Sequence, residues 1–171
     1  SKEEKATIQA WVKAGAPQGD PKDLPESRTF VDGWQLPRKP DMVIPMRDKP
    51  YDVAAEGVIK YQYFVADPGF TEDKFVSACE VLPGNRKVVH HVLIFALPPG
   101  KKILGVDDDG FLFAYVPGLG AQQLPPGMAK RIPAGSKLLF QVHYTPIGTP
   151  QQDLSSVGLL FTDPATITHE V

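Results

Sequence analysis

Four histidines occur in the 171 residues, and two of them are adjacent. His90 and His91 interrupt an apolar run, Val88-Val89-His90-His91-Val92-Leu93-Ile94-Phe95. A third, His143, follows about fifty residues later in Leu138-Leu139-Phe140-Gln141-Val142-His143-Tyr144-Thr145. A lone imidazole on an apolar strand is usually a core side chain satisfied by a backbone or hydroxyl partner. Two in succession fill a core poorly, whereas three neutral nitrogens with an open position make a metal site. Such a donor set suits copper or zinc rather than magnesium or calcium, and spacing alone does not choose between the two. No carboxylate stands in these motifs, which weighs against a cupin-like iron site.

Geometry sets a condition on this reading. Successive side chains of a strand point to opposite faces, so His90 and His91 reach one ion only if the backbone bulges between them. The two rings are then expected to offer different nitrogens. Around His143, alternation puts Leu138, Phe140, Val142 and Tyr144 on one face and Leu139, Gln141, His143 and Thr145 on the other, more polar one. The strands must be neighbours for the three rings to converge, with Gln141, Tyr144 or a backbone carbonyl as candidate partners of the rings.

The rest of the chain must supply that sheet. From residue 57 onward, short β-rich runs at 58–66, 74–82, 87–97, 110–116, 136–145 and 156–162 are predicted strands. They are separated by turns such as Leu82-Pro83-Gly84-Asn85, Leu97-Pro98-Pro99-Gly100 and Leu124-Pro125-Pro126-Gly127, where proline presets one angle and glycine tolerates positive φ. Further short strands are expected between them. The fold class that follows is all-β, an antiparallel jelly-roll-like β-sandwich. Ahead of it, Ser1 and Glu4 form a capping-box pattern, and Ile8, Trp11 and Val12 share a helical face, so residues 3–14 are the one predicted helix. The proline-rich stretch 16–50 is expected to be an extended linker, which leaves 1–15 as the end of a preceding domain and 51–171 as the sandwich domain.

Other features exclude more than they assign. Eighteen basic against twenty acidic residues, a net charge of -2, provide no electrostatic footprint for nucleic acid. No apolar stretch approaches the roughly 20 residues of a bilayer span. Cys79, the single cysteine, reads as a buried small hydrophobe, His169 as an exposed or structural residue, and Met128 as turn packing rather than a thioether ligand. The run Asp107-Asp108-Asp109 lacks the spacing of a calcium loop and reads as a solvated hairpin turn.

The segment Val81-Leu82-Pro83-Gly84-Asn85-Arg86-Lys87-Val88-Val89-His90-His91-Val92-Leu93-Ile94-Phe95 resembles the His-His strand of the copper type II, ascorbate-dependent monooxygenases, the peptidylglycine α-hydroxylating and dopamine β-monooxygenase family. Leu124-Pro125-Pro126-Gly127, followed by Gln141-Val142-His143-Tyr144, is similar to the segment that delivers that family's third ligand. The resemblance covers roughly residues 58–162. It implies that His90, His91 and His143 ligate an electron-transfer copper on the family's first jelly-roll domain, one half of a two-copper enzyme that hydroxylates a C–H bond with O2. The disulfides of the animal members cannot form with only Cys79 present, and no His-x-His pair for a second copper occurs. The helix sequence resembles the closing helix of a c-type cytochrome domain, although no Cys-x-x-Cys-His is present to hold haem. These likenesses lead us to expect an exported bacterial enzyme with a cytochrome c-like, haem-bearing domain upstream and a second copper domain downstream, the isolated chain hydroxylating nothing. The alternative is a non-catalytic metal-binding or structural β-sandwich, or a three-histidine zinc site.

Overall fold

The computed structural model describes residues 1–27, 29, 31–101 and 110–171. The aspartate run 107–109 lies outside the described residues. Two compact units are present, residues 1–30 and 31–171.

The first unit is built on helix α1, Lys2–Lys13, one residue earlier than predicted at each end. Its capping box is formed: the Ser1 hydroxyl accepts from the Glu4 amide at 3.2 Å, and the Glu4 carboxylate receives the terminal ammonium. The chain leaves the helix through Gly15 at φ +88, a conformation glycine adopts without strain. The Trp11 indole donates to the Pro17 carbonyl at 2.9 Å, while Ile8, Trp11 and Val12 all remain exposed.

The second unit is an all-β sandwich. One sheet runs in the order β1 (Met42–Pro45), β11 (Ser156–Phe161), β4 (Lys74–Leu82), β8 (Met128–Ile132) and β12 (His169–Glu170), with β7 (Gln122–Gln123) also on β4. The other runs β3 (Gln62–Ala66), β9 (Lys137–Tyr144), β5 (Val89–Leu97) and β6 (Phe111–Tyr115). A small ribbon pairs β2 (Tyr51–Val53) with β10 (Gln151–Asp153). All pairings are antiparallel except that of β12 with β8. The chain changes sheet between β3 and β4, β4 and β5, β6 and β7, and β8 and β9, so each core layer is assembled from strands distant in sequence.

The main core joins both sheets. Val76, Cys79 and Val81 of β4 and Val157 and Leu159 of β11 meet Val92, Ile94 and Ala96 of β5 and Leu138, Phe140, Val142 and Tyr144 of β9. Each fully buried aliphatic or aromatic side chain of this kind contributes roughly 1.5–3 kcal/mol. Cys79 is fully buried, and burial raises its thiol pKa far above the ordinary value, which keeps it protonated and unreactive.

The six predicted strands are present, most trimmed by a residue or two at their ends. The largest difference is at 58–66, where only Gln62–Ala66 pairs, because Val58 is 97% exposed and 58–61 have no strand neighbour. The proline-rich segment divides. Residues 1–30 form a separate unit, whereas Trp34, Leu36 and Pro40 lie on the outer face of the six-stranded sheet and Met42–Pro45 pairs with β11. At Gly158 a Cβ would stand 2.8 Å from the Trp34 ring, so the strap needs glycine beneath it.

Candidate metal centre

Strands β5 and β9 lie side by side, and His91 is directly opposite His143. One pair further along, Val89 faces Tyr144, and the register shifts between Val89 and His91. His90 is therefore the extra residue of a β-bulge, the backbone condition the sequence imposed. Its consequence is visible on the core side: Val89 and Val92, three residues apart, are both buried, while His90 and His91 between them turn outward.

The three imidazoles converge. One ligand atom from each of His90, His91 and His143 lies within 4.8 Å of the other two. A single point therefore sits no more than about 2.8 Å from all three, the longest side divided by √3. Metal–nitrogen bonds of about 2.0–2.1 Å require only small ring rotations from there. His90 is exposed and the other two are half-buried, so the site opens to solvent. Nδ1 of His90 stands 3.2 Å from Nδ1 of His91, so the two adjacent rings approach each other closely. The bulge aims both side chains to one side of the sheet.

Burial first, and then the nearby His143 and His90 rings, hold the His91 imidazole below its ordinary pKa. That favours the neutral form, which is the form that ligates. No cysteine, aspartate or glutamate joins the cluster among the described residues.

The sequence matches no family model and no curated protein.

Of the other sequence candidates, His169 is exposed on β12, with its Nδ1 3.0 Å from the Thr168 hydroxyl, and takes no part in the cluster. Met128 opens β8 opposite His169, also outside the cluster. Gln141 and Tyr144 do not act as partners of the rings. The Gln141 amide donates to the Tyr63 hydroxyl at 3.2 Å, and the Tyr144 hydroxyl donates inward to Asp153 at 2.9 Å. The residue that sequence reasoning missed is Tyr61, whose ring centroid lies 5.5 Å from that of His91 and 5.0 Å from that of His143. It is half-exposed and walls one side of the triad. Only its place just before β3, the strand beside β9, could have indicated this.

Proposed function

We propose that this chain is the copper-binding electron-transfer domain of a bacterial two-copper, ascorbate-type monooxygenase that hydroxylates a C–H bond with O2. The observation that carries the reading is the exposed, all-imidazole triad created by a bulge at His90, on the strands and in the order the family resemblance implies. The donor set fits copper: three neutral nitrogens accommodate both oxidation states, with no thiolate or carboxylate in the cluster to favour only one. His90, His91 and His143 would hold the ion, which when bound accepts and passes on one electron at a time.

The chain's own residues hold the rings on paired strands, keep His91 neutral and leave the His90 side open to a donor or acceptor. By the same resemblance the full-length protein is extracytoplasmic, with a haem-bearing cytochrome c-like domain upstream and a second copper domain downstream as partners. The isolated chain is accordingly inactive as a hydroxylase. The second reading, a non-catalytic or zinc-binding sandwich, draws on the same donor set, which zinc also accepts.

Metal analysis of the chain expressed with copper and with zinc separates them. One copper per chain in the wild type, none in His143→Ala, and reduction by ascorbate followed by reoxidation in air are expected. Retention of zinc alone, or equal copper content in His143→Ala, would reject the copper reading.

A further inference from the structure

The carboxylate of Asp153 is 1% exposed and stands away from the histidines, yet both ligand strands are tied to it. Oδ1 accepts from the Asn85 backbone amide at 2.8 Å. Oδ2 accepts from the Tyr144 hydroxyl at 2.9 Å and from the Ser155 hydroxyl at 2.9 Å.

Asn85 begins the turn that enters the His-His strand. Its carbonyl accepts from the Val88 and Val89 amides at 3.2 and 3.1 Å, and its side-chain oxygen accepts from the Lys87 amide at 3.1 Å. The Asn85 amide also donates to the Gln151 side chain and the Gln152 carbonyl, each at 3.1 Å. Tyr144 is the residue after His143 and the partner of Val89, the residue before His90. Its ring is locked by stacking on Tyr51, centroids 5.2 Å apart and 18° from parallel. One buried carboxylate thus fixes the chain on both sides of the Val89–Tyr144 pair, the last regular rung before the bulge.

The approach is close enough to dictate sequence. A Cβ on Gly84 would lie 2.6 Å from the Leu154 backbone nitrogen, so the turn seats against 153–155 only with glycine there.

We infer that Asp153 is the positioning residue of the three-histidine site: by holding Asn85 and Tyr144 it sets the register of the bulge and hence the distances among His90, His91 and His143. This rests on the metal-site reading above for its purpose, though not for its geometry.

The experiment uses the chain as Asp153→Ala, Asp153→Asn and Tyr144→Phe, with Leu159→Ala as a control core variant that does not touch either ligand strand's turn. Two quantities are read on folded protein: the imidazole 1H–15N signals of the metal-free chain, and Cu(II) affinity. Asp153→Ala and Tyr144→Phe are expected to shift the signals of all three cluster histidines and to weaken Cu(II) binding about tenfold or more, the size of effect that groups orienting ligands have. Asp153→Asn should largely restore both, because its Oδ1 still accepts from Asn85 and its amide can donate to the Tyr144 oxygen. Leu159→Ala should change melting temperature without moving the ring signals. Wild-type ring signals in Asp153→Ala, or equal shifts in Leu159→Ala, would overturn the inference. If Asp153→Ala does not fold, Tyr144→Phe, which removes one hydroxyl, decides by the same readout. A wild type that binds no copper removes the metal reading, while the ring signals still decide whether Asp153 positions the histidines.

Discussion

Strands β4 and β5 use the same backbone device at different depths. In β4 the core residues Val76 and Cys79 are three apart, because Ser77 is an extra residue where β4 shifts register against β11. In β5 the core residues Val89 and Val92 are three apart, because His90 is extra against β9. The β4 bulge is enclosed: Leu124 donates its amide to the Ser77 carbonyl, the Ser77 hydroxyl reaches the Leu160 carbonyl, and Leu36 packs over neighbouring Ala78. The β5 bulge lies near the start of its strand with its outward side chains open to solvent. A bulge with neighbours on every side serves packing, whereas one left open at a strand end can present two successive side chains to a ligand.

Deleting Ser77 breaks this comparison most severely. It restores simple alternation in β4 but displaces Lys74–Val76 along β8 and takes away the carbonyl that accepts from the Leu124 amide. We expect a loss of about 3 kcal/mol or more, or failure to fold, measured by urea unfolding. A deletion tolerated within about 1 kcal/mol would show the enclosed bulge to be unimportant.

Deleting His90 should separate stability from binding. Alternation again becomes regular, and only Val88 and Val89 shift, next to a turn that can absorb the change. Stability should fall by only about 1–2 kcal/mol, while metal affinity drops at least about 100-fold through loss of a ligand and of the bulge that aims His91. Metal titration beside the same unfolding curves checks this; unchanged affinity would contradict the role of the bulge.

Gly84→Ala tests the turn ahead of the open bulge. The 2.6 Å approach to Leu154 is to backbone, which cannot rotate away. A cost of about 1–3 kcal/mol is expected, typical of overpacking, read as a lower urea midpoint at constant slope.

The smallest effect concerns the strap over the enclosed sheet. Asp41 pairs with Arg38 and accepts from the Phe161 amide at 2.8 Å; first the Arg38 contact, opposed next by burial and then aided by the Phe161 amide, holds its pKa below the ordinary value. The sign follows: a carboxyl with a depressed folded pKa stabilises the fold above its unfolded value of 3.8, and that contribution is lost as pH falls through the lower folded value. The Arg38 side chain is 53% exposed and that of Asp41 34%, so solvent screens the pair and Asp41→Asn should cost under about 1 kcal/mol at neutral pH. The difference from wild type should vanish in acid; a difference that persists there would assign it to the strap's shape.

Much of this was legible in the residues. The all-β class followed from short β-rich runs with Pro-Gly turns, and the face assignment in β9 from strict alternation, which Leu138, Phe140, Val142 and Tyr144 obey. The His90–His91–His143 cluster followed from residue type, together with the bulge that adjacency required. The Ser77 bulge was not legible, because Val76-Ser77-Ala78-Cys79 contains no residue whose chemistry demands one face. Strand β1 was hidden in a proline-rich stretch, since a four-residue edge strand ending at Pro45 has little pattern of its own and forms by pairing with β11. Tyr61 and Asp153 were missed because their roles depend on chain crossings that spacing along the sequence does not encode.

The central claim, that one ion is held by imidazoles from two neighbouring strands, is tested most directly by X-ray absorption on the chain loaded with one equivalent of copper. The account predicts a first shell dominated by three imidazole nitrogens at about 2.0 Å, reduced to two in His143→Ala. A shell of mostly oxygen, or one unchanged by removing His143, would contradict it.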